Sequence, residues 1–223
     1  MVAVTGSVGK TSTKDIIASA LSQKYNVLKT EGNNNNHIGL PLTVLKLDNQ
    51  EAMVVEMGMN HFGEIRTLTN IAKPTICVIT NIGTSHIGIL GSRENILKAK
   101  LEITDGAENP TIIINNDNDL LHKWYVENKE NKNIITFGIE NESDIMAKQL
   151  ELHHNGSEYK CNINGKNVNV KVPIAGEHFV LNALCATTVG KVLNIDENKI
   201  LDGIASVELT KKRMDVTEKN GIT

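Results

Sequence analysis

Apolar residues fall along this chain in two alternating textures: short unbroken runs, and stretches where they recur every three or four positions. The run Val2-Ala3-Val4-Thr5 reads as a buried strand, and Ile16, Ile17, Ala20 and Leu21 then mark one face of a helix. Residues 25–29, 52–59, 75–82, 111–117 and 134–138 repeat the first texture, with the near-continuous apolar character of strands covered on both faces. Residues 39–45, 63–71, 93–103 and 119–126 repeat the second, with Pro41 in a first turn and Ser92 placed as a cap. Strand then helix, repeated, predicts an α/β fold with an open, mostly parallel sheet flanked by helices. From about residue 144 to 172 the pattern becomes apolar-polar alternation broken by Asn-Gly turns, which predicts a small antiparallel β-hairpin unit beside the main sheet. Helices return over 177–193 and 196–204.

Between the first strand and the first helix lies Gly6-Ser7-Val8-Gly9-Lys10-Thr11-Ser12. Gly6 and Gly9 permit a sharp turn that points several N–H groups into one concavity, at the positive end of the helix dipole. Lys10 adds a charge for the β- and γ-phosphates of a nucleotide, and the Thr11 hydroxyl is suited to Mg²⁺. Val4 stands where the general phosphate-loop pattern has its first glycine, and Gly6 falls inside the loop instead.

Other polar groups sit where a parallel sheet collects ligands. Glu56 closes one apolar run, so it is expected near the phosphate loop with an oxygen for Mg²⁺. Residues 83–92 form a glycine-rich loop carrying His86, a candidate ligand or proton carrier. The four asparagines at 33–36 make a donor- and acceptor-rich loop. Lys100 lies beside the apolar stripe of its helix, an odd place for a lysine meant only for solvent.

Composition narrows the class. The chain has 223 residues, 40% of them hydrophobic and 22% charged, enough for one large folded domain. A net charge of -3, with no long basic run, argues against a nucleic-acid partner. Nothing resembles a signal peptide or a membrane span, and Cys77, Cys161 and Cys185 are widely spaced in apolar contexts. Reduced, buried thiols in a cytoplasmic monomer are expected, with neither a disulfide frame nor a metal centre built on cysteine. A strand beginning at Met1, and a β-like run opening at Met214 close to the last residue, read as a domain excised from a longer protein.

Six segments together resemble one family. These are the phosphate loop, the asparagine loop ahead of Ile38-Gly39-Leu40-Pro41-Leu42-Thr43, the strand end Val54-Val55-Glu56-Met57-Gly58, Thr80-Asn81-Ile82-Gly83-Thr84-Ser85-His86, the helix with Lys98-Ala99-Lys100, and His178 with Asn182-Ala183-Leu184. The chain is similar to the central ATP-binding domain of the Mur ligases, and the forms of its asparagine loop and Gly91-Ser92-Arg93-Glu94 segment are most similar to members acting on UDP-MurNAc-tripeptide and D-alanyl-D-alanine. The resemblance implies a P-loop NTPase-like fold over residues 1–223, without the family's UDP-binding and C-terminal domains, and so no ligation by these residues alone. It implies that Gly6, Ser7, Val8, Gly9, Lys10, Thr11 and Ser12 cradle ATP, with Asn182 on the adenine and Arg213 approaching the nucleotide. It also implies two Mg²⁺ sites, Thr11 and Glu56 at the first and His86 at the second, with Lys100 carbamylated to help bind the second ion, and Asn35 and Asn36 facing the UDP-sugar-peptide. Folylpolyglutamate or cyanophycin synthetases are the alternative ligases, and a nucleotide-binding module without ligation is the alternative of another class.

Overall fold

The computed structural model describes residues 1–210; Arg213 and the β-like run from Met214 lie outside the described residues. The chain opens with β1 (Val2–Thr5) and α1 (Lys10–Ser22), followed by β2 (Val27–Lys29), α2 (Gly39–Val44), β3 (Ala52–Glu56), α3 (Glu64–Ala72) and β4 (Ile76–Ile79). After a short α4 (Ile87–Leu90) come α5 (Arg93–Leu101), a 3₁₀ turn at Glu102–Thr104, β5 (Thr111–Asn115), α6 (Asp119–Asn128), β6 (Ile134–Gly138) and β7 (Ile145–Met146). The seven strands form one sheet in the order β2-β3-β1-β4-β5-β6-β7, and every pairing in it is parallel. A separate antiparallel sheet of β8 (Lys148–His153), β9 (Gly156–Ile163) and β10 (Lys166–Val172) follows, then α7 (Glu177–Val192) and α8 (Glu197–Ala205).

Side-chain alternation along the strands divides the core in two. Val2, Val4, Val54 and Ile113 face α1, α7, α8 and the small sheet, whereas Ala3, Val55, Cys77, Ile112 and Ile114 face α3, α5 and α6. Ile16 and Ile65 are wholly buried in the two layers, and burial of such an Ile side chain contributes about 1.5–3 kcal/mol. All three cysteines are free and buried, and burial pushes the Cys77 and Cys161 thiols up to about 12. Among the described residues no helix is long and apolar enough to cross a membrane.

Several expected boundaries move. The unit expected from residue 144 does not begin the small sheet: Ile145 and Met146 extend the main sheet as its edge strand, paired with Phe137 and Gly138. Asp144 drives this by accepting from Thr136 N and Thr136 Oγ1, each at 2.8 Å, which pins the chain alongside β6. The strand expected over 75–82 stops at Ile79, and the one over 52–59 stops at Glu56. In both, the residues beyond the strand turn their polar groups to the loops at its carboxyl end.

α8 packs on α1 through Gly203, where an added Cβ would lie 2.5 Å from Ala20 Cα and 2.7 Å from Ser19 O. Gly203→Ala must therefore push the helices apart, at about 1–3 kcal/mol. Thermal melting should show the loss as a fall of about 2–4 °C per kcal/mol; an unchanged Tm would mean that α8 is not held against α1 in this way.

Candidate functional site

The carboxyl ends of β1, β3 and β4 meet at the start of α1. Gly9, at φ 80°, precedes α1 and offers it no side-chain cap, so the first-turn amides of Lys10, Thr11 and Ser12 have no helical carbonyl to meet. Gly6 is needed for a different reason: a Cβ there would fall 2.0 Å from Thr80 Oγ1. Lys10 Nζ folds back to donate to Gly6 O at 2.9 Å and Ser7 O at 3.4 Å, so its charge lies directly over the turn.

Glu56 arrives from β3 where the strand-end rule placed it. Its carboxylate is 2% exposed and accepts from Thr11 Oγ1 at 2.9 Å and from Asn35 Nδ2 at 2.8 Å. Thr30 holds it from below, accepting from Glu56 N at 3.0 Å, and Thr30 O accepts from the wholly buried Lys14 Nζ at 2.7 Å. Lys14 in turn lies 3.2 Å from Asp15 Oδ1. Burial works against the Asp15 carboxylate, but the Lys29 and Thr210 hydrogen bonds and the Lys14 charge outweigh it and hold the group below its ordinary value. Sequence reading missed this buried pair, because adjacent charges on an amphipathic helix look like a solvated face.

A cleft of about 630 Å³ opens over the loop, lined by residues 7–12, Asn35, Glu56 and Asn182, and also by Asn115, Phe137, His178 and Phe179. Asn182 Oδ1 accepts from Thr13 Oγ1 at 2.9 Å, which fixes it beside the first turns of α1. Asn36 serves its own loop, because its Oδ1 accepts from Ile38 N and Gly39 N at 3.0 and 2.9 Å and starts α2. His86 and Lys100 do not line this cleft. They are nevertheless within electrostatic reach of the loop, since burial first, then Lys100 and Lys10, lower the His86 pKa.

Lys100 is 2% exposed, and among the described residues it has no ion pair. Burial, and then the charge on Lys10, bring its amine down to about 7. The helix bearing it is fixed by Glu102, whose carboxylate accepts from Gly63 N at 2.8 and 2.9 Å and so caps α3 from a distant part of the chain. Among the described residues no three His, Cys, Asp or Glu side chains converge as a metal cluster. The oxygen pair of Thr11 and Glu56 is the donor type that Mg²⁺ prefers, with the remaining positions open to phosphate and water.

A phosphate loop at the head of a parallel sheet, with a carboxylate from the neighbouring strand against its threonine, defines a nucleotide-binding class of α/β protein. Residues 4–190 match the Mur ligase middle domain, and the chain belongs to that family. It is 40% identical over 218 residues to the UDP-N-acetylmuramoyl-tripeptide--D-alanyl-D-alanine ligase of Bacillus subtilis, covering 97% of this chain and 46% of that one. Its fold is similar to that of MurF from Acinetobacter baumannii, with a TM-score of 0.92 at 32% identity over 98% of this chain and 48% of the other. MurF from Thermotoga maritima, solved in complex with ADP, gives a TM-score of 0.87 at 31% identity over 99% and 51%. The chain thus spans about half the length of the relatives it matches.

The Lys100 amine has a thermodynamic signature. It holds its proton to about 10.5 when ordinary and to about 7 in the fold, so between these values the unfolded chain binds the extra proton. Stability should therefore rise with pH from about 7 toward 10.5, the full penalty remaining below 7. In metal- and CO₂-free buffer, Lys100→Met should flatten that rise and stabilise the protein near neutrality by a few kcal/mol, read as the urea midpoint. Parallel pH profiles for the two proteins would contradict the buried amine.

Proposed function

We propose that this chain is the ATP-binding core of a ligase that joins D-alanyl-D-alanine to UDP-MurNAc-tripeptide. The observation that carries the reading is the contact of Thr11 with Glu56 across the head of the phosphate loop. Relatives bearing that ligase name match nearly the whole chain at 30–40% identity, which supports the substrate assignment over the folylpolyglutamate or cyanophycin alternatives. A nucleotide-binding module without ligation is the reading for these residues taken alone, since they span about half the length of the relatives.

In this reading the peptide's terminal carboxylate attacks the γ-phosphorus of ATP, forming an acyl phosphate and releasing ADP. The amine of the dipeptide then adds to the acyl carbon, loses a proton, and the tetrahedral intermediate collapses to the amide with release of phosphate. The first step brings a carboxylate to a triphosphate, so the chain's work is to position the reactants and offset that charge. First-turn amides of α1 and the ammonium of Lys10 take the phosphate oxygens. Asn182 reads the adenine with its amide NH₂, since its oxygen is engaged by Thr13. Asn35 and Asn36 face the UDP-sugar-peptide. Thr11 and Glu56 would hold one Mg²⁺, and His86 with a modified Lys100 a second; these ions supply Lewis-acid neutralisation of the triphosphate.

Lys100 is suited to modification because an amine near pKa 7 is substantially neutral at physiological pH. Its nitrogen lone pair attacks CO₂, one proton leaves, and a carbamate anion replaces a buried cation. Arg213 is assigned to the nucleotide as well. A cytoplasmic monomer without nucleic-acid or membrane partners completes the proposal.

The reading is tested by ATP-dependent phosphate release from the full-length protein, with UDP-MurNAc-tripeptide and D-alanyl-D-alanine as substrates against folate and glutamate. Release with the folate pair alone would replace the substrate assignment. Lys10→Ala should lower the rate by about 100-fold or more; unchanged kinetics would remove the phosphate loop from the chemistry. Lys100→Ala should lose most activity and recover part of it with short carboxylates such as acetate, and an absence of rescue beside a bare Lys100 amine in a crystal structure of the wild type grown with bicarbonate would count against the carbamate.

A further inference from the structure

The loop after β4 makes more polar contacts with the phosphate loop than any function assigned above requires. Ser7 N donates both to Asn81 O at 3.1 Å and to Asn81 Oδ1 at 3.0 Å, and Val8 N donates to the same Oδ1 at 3.0 Å. Thr80 Oγ1 donates to Val8 O at 2.8 Å, and Gly83 N to Ser7 Oγ at 2.9 Å. Two amide hydrogens converging on one oxygen is the arrangement that a turn of this kind offers to an anion. Here a neutral carboxamide fills it, and the Asn81 side chain also lines the cleft.

We propose that Asn81 is the positioning residue of the phosphate loop. Its side-chain oxygen takes an anion's place against Ser7 and Val8 and holds the turn ready, leaving the amides of Lys10, Thr11 and Ser12 as the nucleotide grip. The inference rests on the nucleotide-binding reading above and adds a division of labour within the loop. Gly6 and Gly9 give this segment wide conformational freedom, so an unbraced loop would lose more entropy on closing around phosphate. The bracing segment runs on to His86, at φ 68°.

Hydrogen exchange on the full chain without nucleotide reads the brace directly. The Val8 amide should exchange slowly in the wild type and about tenfold faster or more in Asn81→Ala, while the Ser7 amide, which keeps the Asn81 backbone oxygen, and amides of β1 and β5 change less. Asn81→Asp retains an acceptor for both amides and should retain their slow exchange. ADP titrated by calorimetry should bind Asn81→Ala about tenfold more weakly through loss of preorganisation, and Asn81→Asp more weakly through anion repulsion. Unchanged exchange at Val8 in Asn81→Ala would overturn the proposal. So would tighter ADP binding by that variant, which would make Asn81 a plug instead of a brace. If the wild type binds no ADP, the nucleotide reading fails, and the exchange result still decides the role of Asn81.

Discussion

A helix that begins on a glycine without a side-chain cap has no helical carbonyls for its first amide hydrogens, and the carboxyl edge of this sheet is arranged around that turn. β1 feeds the turn, β3 delivers Glu56 to Thr11 on one side, and the segment after β4 ties the turn down on the other. The strand order makes this possible. Placing β1 between β3 and β4 puts chemistry from two distant segments within hydrogen-bond reach of one loop.

Electrostatics in the site are lopsided. Burial first, and then the charge on Lys10, lower the Lys100 amine, and burial first, then Lys100 and Lys10, lower His86. Among the described residues the Glu56 carboxylate bonds to the threonine of the loop, and its oxygens are engaged by Thr11 and Asn35. A pocket in this state attracts anions and disfavours further protons, in keeping with a triphosphate as the incoming species. A second charged cluster below it is balanced by contrast: Asp15 collects Lys29 at 2.8 Å, Lys14 at 3.2 Å and both polar atoms of Thr210. That carboxylate fastens the far end of the described chain to the helix that starts at the phosphate loop.

Much of this was legible in the residues, for identifiable reasons. Strands buried on both faces announce themselves as unbroken apolar runs, and the parallel sheet follows from their alternation with helices. Glu56 could be placed because a single rule about strand ends applies to it. Asn81 obeys the same rule but was hidden inside a run read as strand to residue 82, and only its bonds to Ser7 and Val8 show that the strand stops at Ile79. Ile145 was assigned to the wrong sheet because alternation alone does not say which edge a short strand joins; Asp144 bound to Thr136 decides it. Lys14 and Asp15 were unreadable since pattern does not distinguish a charge that faces water from one that meets a buried partner.

The parallel order of β3, β1 and β4 also sets when the site can come into being. Glu56 and Asn81 join the turn at sequence separations of 45 and 74, so neither contact belongs to a local folding unit. Contacts of such long range form late and slowly, because the loops between them must close before any of the bonds is made. The receptor is therefore complete only when β3 and β4 have docked on either side of β1, bringing Glu56 and Asn81 to the turn.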